Sequence, residues 1–155
     1  MGLKLVVVVR HGEDQKNSLT QRGEEQVSKL AEAIKTRING FSKIAILTSP
    51  VRRATQTSKI IGQKIGVNPT ECKELWWDKS EDGKMQMEAI CEAAGNSDVV
   101  VAITHFEAHI GIVSAFHEKF FGEELWCRRV REGQGIALSL SRPGAVDYLP
   151  RPREL

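Results

Sequence analysis

A chain of 155 residues, 41% hydrophobic and 27% charged with both signs mixed, has enough apolar material for a core of its own and is read as one domain over 1–155. Its formal net charge of +2 is too small to mark a nucleic-acid or membrane-surface protein. No apolar stretch reaches the roughly 18 residues a membrane span needs, and the run at 3–9 is too short for a signal peptide.

The first predicted element is a strand at 3–9 (LKLVVVV). A helix follows, with Val27, Leu30, Ala31, Ile34 and Ile38 on one face, Thr20 as N-cap and Gly40 as stop. A second strand is expected at 43–49 (KIAILTS). A second helix carries Ala54, Thr57, Ile61 and Ile65 and ends at Gly66. A short strand is expected near 72–75. A third helix, through Met87, Ile90, Cys91 and Ala94, stops at Gly95 and Asn96. The third strong strand is 98–105 (DVVVAITH). The helix after it shows Ile112, Ala115, Phe116 and Phe120 and closes at Gly122. At the end, 135–140 and 145–149 flank Pro143-Gly144, a strong turn signal, and predict an antiparallel hairpin. The three strong runs are rich in Val and Ile and barely alternate, the pattern of strands buried on both faces. The expected fold is therefore α/β: a three-layer α/β/α sandwich, its central sheet mostly parallel with an antiparallel C-terminal edge.

Such sheets bind ligands beyond the carboxyl ends of their strands. The first strand ends in Arg10-His11-Gly12. The second ends in Thr48-Ser49-Pro50, with Arg52 and Arg53 just after, and the third ends in Thr104-His105. Two imidazoles and two guanidinia on one rim repel unless an anion lies among them, and a phosphoryl group accepts forked hydrogen bonds from arginine. A neutral imidazole can attack phosphorus and divide a hard displacement into two easier ones. Gly12 would let the backbone approach the ligand closely. The Arg128-Arg129-Val130-Arg131 run is read as solvated surface or pocket rim, and Trp76 and Trp77 as core. His109 and His117 are read as helix-surface residues. The three scattered cysteines, Cys72, Cys91 and Cys127, show no C-x-x-C spacing, so neither disulfides nor a zinc site is expected and a reducing cytoplasm is the expected setting. No close His/Asp spacing suggests a metal site either.

These residues resemble the histidine phosphatase (phosphoglycerate mutase-like) superfamily. VVVVRHGE is similar to its Arg-His-Gly signature and SLTQRGEEQ (18–26) to its Leu-Thr-x-x-Gly element. TSPVRRATQTS (48–58) is similar to its Ser-Pro-x-x-Arg-Ala-x-Gln-Thr segment, and VAITHFEAH (101–109) to the strand with the second histidine. The resemblance implies a phosphoglycerate mutase-like fold and a phosphatase without metal or other cofactor. In it His11 is the nucleophile, Arg10 and Arg53 bind the phosphate and His105 is the second pocket histidine. Asn17 joins the phosphate side, and Arg52 faces solvent. The second histidine is usually followed by glycine, whereas here Phe106 follows. The short link from Arg-His-Gly to Leu-Thr-x-x-Gly and the ending GQGIALSLS resemble the small SixA-like branch, whose open site suits a phosphorylated protein, including a phosphohistidine protein, or a small phosphorylated metabolite.

A general acid for the leaving group is the weakest part of the pattern. The segment 71–88 offers Glu74, Asp78, Glu81, Asp82 and Glu88, and Asp14 and Glu107 adjoin the two histidines. Glu74, Glu107 and Glu81 are the candidates carried forward. Two other readings remain at this point: a mutase of phosphoglycerate type, which needs a lid this chain is too short to supply, and a non-catalytic phosphate- or phosphoprotein-binding module, which needs no paired histidines.

Overall fold

Each of the three strong apolar runs forms a strand with both faces buried. The computed structural model describes residues 2–76 and 82–151. In β1 (Leu5–Arg10), Val6 to Val9 have no exposed surface, and in β6 (Val99–Thr104) every residue is buried. Alternate side chains feed two separate cores. Leu5, Val7 and Val9 pack with α1 (Gln21–Arg37) and α2 (Arg52–Ile65). Val6 and Val8 pack with α3 (Lys84–Ala94) and α4 (Phe106–Phe121). The period of two along the strand thus makes the three layers.

The remaining strands are β2 (Asp14–Gln15), β3 (Ser18–Leu19), β4 (Ile44–Thr48), β5 (Pro69–Glu71), β7 (Gly135–Ser139) and β8 (Val146–Leu149). The main sheet runs β5-β4-β6-β1-β7-β8. Its first four strands are parallel, while β7 runs antiparallel to β1 and pairs with β8 as the expected hairpin. Thr20 caps α1 as expected, its Oγ1 accepting from Gly23 N–H at 3.0 Å, a contact of about 1 kcal/mol.

Two local expectations change. The short strand lies at 69–71, not 72–75, and Lys73–Leu75 is a 3-10 turn that buries Leu75. β2 and β3 form a small hairpin in the compact link after His11, closed by Lys16 (φ 52°) and Asn17 (φ 65°). Positive φ at both central residues is the turn that follows strand twist, and asparagine tolerates it.

Candidate active site

The carboxyl ends of β4, β6 and β1 stand side by side. Arg10 is the register partner of Thr104, and Thr48 that of Ile103. The next residues along the three strands, His11, Ser49 and His105, are all buried. The His11 and His105 rings meet edge to face with centroids 5.3 Å apart. The fold brings the sequence-predicted His11, His105 and Arg53 together, and Arg10 ends β1 on the same rim.

His11 is oriented at both nitrogens. Nδ1 lies 2.9 Å from the Gly12 carbonyl, which only accepts, so Nδ1 carries the proton. Nε2 keeps its lone pair and receives Arg53 Nε–H at 3.1 Å. Burial pushes the His11 pKa down, and the Arg53 charge adds to this against the Gly12 carbonyl, Asp14 and Glu132. The ring is thus held neutral with Nε2 unprotonated, the form in which imidazole is nucleophilic once Arg53 turns its N–H from that electron pair to the phosphoryl oxygens.

His105 is buried and neutral for related reasons. Desolvation, with repulsion from His11 and Arg53, pushes its pKa down to about 3. Its Nε2 lies 2.8 Å from Ser49 Oγ, which also accepts from Val51 N–H at 3.3 Å. With Ser49 Oγ–H donating to Nε2, the His105 proton sits on Nδ1. That Nδ1 is buried without a partner among the described residues, as is Arg10 Nε. An unpaired buried donor costs about 1–3 kcal/mol. An oxyanion within reach of either atom would satisfy it. The start of α4, which follows His105 directly and carries no side-chain cap, adds a favourable dipole.

Arg53 leaves the first turn of α2 and is steered by Asn17. The Asn17 Oδ1 accepts from Arg53 N–H at 3.2 Å and from Nη1 at 3.0 Å. The expected phosphate-side asparagine therefore spends its oxygen on the arginine, and its contribution is orientation. Asn17→Ala is expected to lower kcat/KM about tenfold, the loss of a hydrogen bond to a charged group. Steady-state kinetics check this; a change below about twofold would mean Arg53 is oriented without it. Arg52 is exposed, as expected.

Gly12 is required for a reason other than ligand approach. A Cβ there would lie 2.7 Å from Val27 Cγ2 and 3.0 Å from the Gly23 carbonyl, so the glycine lets α1 pack against the strand end. Its N–H donates to Thr57 Oγ1 at 3.0 Å.

A pocket of about 160 Å3, open to solvent, is lined by Arg53, Trp76, His105 and Glu107. Trp76 is not core: it is 46% exposed, with its ring 5.5 Å from that of His105. Trp77 and Asp78 lie outside the described residues, as does Glu81. Of the candidate acids, Glu107 is brought to the pocket. Glu74 sits on the 3-10 turn, accepts from Cys72 Sγ at 3.6 Å and does not line it. Glu88 pairs with Lys119 at 3.4 Å.

Glu132 was not anticipated. Because β7 runs antiparallel to β1, the chain just before it returns to the same rim, and Gly133 N–H donates to the carbonyls of Arg10 and His11 at 3.1 and 2.9 Å. The sequence signal was the hairpin itself: its first strand must start where parallel strands end. His11, Asp14 and Glu132 bring potential ligand atoms within 4.8 Å of one another, a cluster that sequence spacing did not suggest. Both His11 nitrogens are already engaged, one by a guanidinium, and that charge disfavours a cation at the ring. His109 and His117, expected on the helix surface, are buried, with 0% and 3% exposure.

Residues 6–76 match the family model of the histidine phosphatase superfamily, branch 1. The chain has the histidine phosphatase fold. The candidate phosphohistidine phosphatase SixA from Agrobacterium tumefaciens superposes with a TM-score of 0.72 at 16% identity, covering 94% of this chain and 97% of that one. A protein histidine phosphatase SixA solved with tungstate gives 0.63 at 20% identity, with coverage of 92% and 94%. Mycobacterial glucosyl-3-phosphoglycerate phosphatase with VO3 gives 0.63 at 16%, with coverage of 88% and 91%. At these identities the likeness is one of fold. No curated protein matches the chain in sequence. Among the described residues no helix is long and apolar enough to cross a membrane.

Proposed function

We propose that this chain is a metal-independent phosphatase that passes the phosphoryl group through His11, with a phosphohistidine protein or a small phosphate ester as substrate. The observation that carries the reading is the neutral His11 ring, its Nε2 lone pair facing the Arg53 guanidinium at 3.1 Å beside the unpartnered His105 Nδ1. The superfamily match over 6–76 and the phosphatases among similar folds support phosphatase chemistry, and folds solved with tungstate, VO3 and inorganic phosphate agree with an oxyanion site.

In the first step the Nε2 electron pair forms a bond to phosphorus, and the bond to the leaving group breaks. Arg53, Arg10 and His105 Nδ1–H stabilise charge on the non-reacting oxygens. Glu107, on the pocket wall, acts in its protonated carboxylic acid form, gives the departing atom its proton and is left as the carboxylate. In the second step water attacks phosphorus, Glu107 takes the water proton, the P–Nε2 bond breaks and phosphate leaves. A nitrogen leaving group needs less of this help than an alkoxide. Arg53 is the one cation on the pocket wall among the described residues, whereas a mutase must hold a second phosphate, and this supports hydrolysis. The three cysteines are unpaired, in keeping with a reducing, cytoplasmic setting.

Rapid quench after mixing with an activated phosphoryl donor, followed by mass analysis, tests the reading. An acid-labile, base-stable adduct of phosphate mass on His11 is expected. Turnover without such an adduct would overturn it.

A further inference from the structure

We infer that His109, a buried histidine with no part in the reaction itself, is the positioning residue that seats the Arg10 guanidinium. The inference rests on the reading above, in which Arg10 grips the oxyanion.

Arg10 ends β1 as a half-buried cation with two contacts to its head group. Nη1 donates to the Val130 carbonyl at 3.1 Å, and Cζ lies 4.8 Å over the Phe106 ring. His109 holds both of these residues. Its Nδ1–H donates to the Phe106 carbonyl at 2.8 Å, and its Nε2 accepts from Val130 N–H at 3.2 Å. The two rings also touch, with centroids 5.7 Å apart. Only the neutral ring with the proton on Nδ1 can make both bonds.

Val130 needs such an anchor. Residues 123–134 contain no helix or strand, yet Val130 is 3% exposed. Its neighbours are tied to the strand end by backbone, through Gly133 N–H to Arg10 and His11 and Arg10 N–H to the Gln134 carbonyl at 2.9 Å. The bond to Val130 N–H comes from the His109 side chain. Remove it and the carbonyl that orients Nη1 is free to turn. The Arg10 Nε, which has no partner among the described residues, then loses its aim.

The test measures inorganic phosphate binding by calorimetry in the wild type, Arg10→Ala, His109→Leu and the double variant. Leucine fills the space and offers no acceptor. Arg10→Ala is expected to weaken binding more than about tenfold, as loss of a charge-assisted contact does. His109→Leu is expected to weaken it about fivefold, and the double variant no further than Arg10→Ala, because residues acting through one another are not additive. His109→Gln, whose amide oxygen reaches the Nε2 place, should stay within about twofold of wild type. If His109→Leu does not fold, His109→Asn, which keeps the Phe106 bond and loses the Val130 bond, enters the same comparison. Wild-type binding in the His109 variant, or a double variant weakened by the product of both effects, overturns the inference. If Arg10→Ala itself leaves phosphate binding unchanged, the failure belongs to the oxyanion-grip reading beneath it.

Discussion

His11→Ala is expected to cut turnover by at least about 10⁴-fold while phosphate binding stays within about tenfold of wild type. The two quantities separate because the residue has two kinds of neighbour. The electron pair on Nε2 forms the bond to phosphorus, and no other group at the rim offers one in the same place. His105, 5.3 Å away between centroids, is oriented with Nε2 against Ser49. In the proposed mechanism the oxyanion cradle, by contrast, belongs to Arg10, Arg53 and His105, which the alanine leaves in place. Loss of the Arg53–His11 bond frees one guanidinium N–H, and this costs less than the attack itself. Single-turnover kinetics with an aryl phosphate and calorimetry with phosphate measure the two effects side by side. Residual turnover above about 1% would mean that water attacks directly and that the imidazole is a bystander.

Acidification should destabilise the unliganded protein through His105. Its folded pKa of about 3 lies below the ordinary histidine value because of burial, with His11 and Arg53 adding repulsion. Above about pH 6.5 both folded and unfolded states hold the ring neutral, and it makes no pH-dependent contribution. Between about 6.5 and 3 the unfolded chain binds a proton that the folded chain refuses, so stability falls as pH falls through that window. At about 1.4 kcal/mol per pKa unit the full effect reaches roughly 5 kcal/mol. Carboxylates titrate in part of the same range, so the measurement is the difference between wild type and His105→Ala in urea unfolding at pH 6.5, 5.5 and 4.5. The alanine variant should show the shallower decline. Saturating phosphate should also flatten the wild-type curve, because an anion beside the ring raises its pKa. Parallel curves for the two proteins would show that the ring is not held neutral.

How much of this was legible in the sequence follows from which interactions decide each part. The sheet was, because a strand buried on both faces must be apolar at consecutive positions, as Val6 to Val9 are. The four residues of the rim were, because parallel neighbours end together and carry their next residues to one edge. The acidic and anchoring residues near 130 were not visible. Glu132 and Val130 reach the site only through the antiparallel entry of β7, and no local periodicity marks the segment before it. Trp76 follows from the 3-10 turn, which buries Leu75 and leaves the tryptophan at the pocket wall. The histidines of α4 were misread because an amphipathic helix was assumed to have a wet outer face. Here residues 108–117 are buried nearly all round, and His109 and His117 satisfy backbone groups of the covering segments. Gly12 was read as room for a ligand, and the sequence held no sign of its second role, making room for Val27 and the Gly23 carbonyl of α1.

The in-register pairing of β1 with β6 has a further bearing on how such a centre can diversify. A ladder slides only in whole residues, and a one-residue slip would turn Val7 and Val9 from one core into the other. The gap between the two imidazoles is therefore quantised by the backbone and insensitive to most side-chain changes. The pocket walls beside it come from Trp76 after the 3-10 turn and from Glu107 at the start of α4. New leaving groups can be accommodated by rewriting those walls, with the reacting pair untouched.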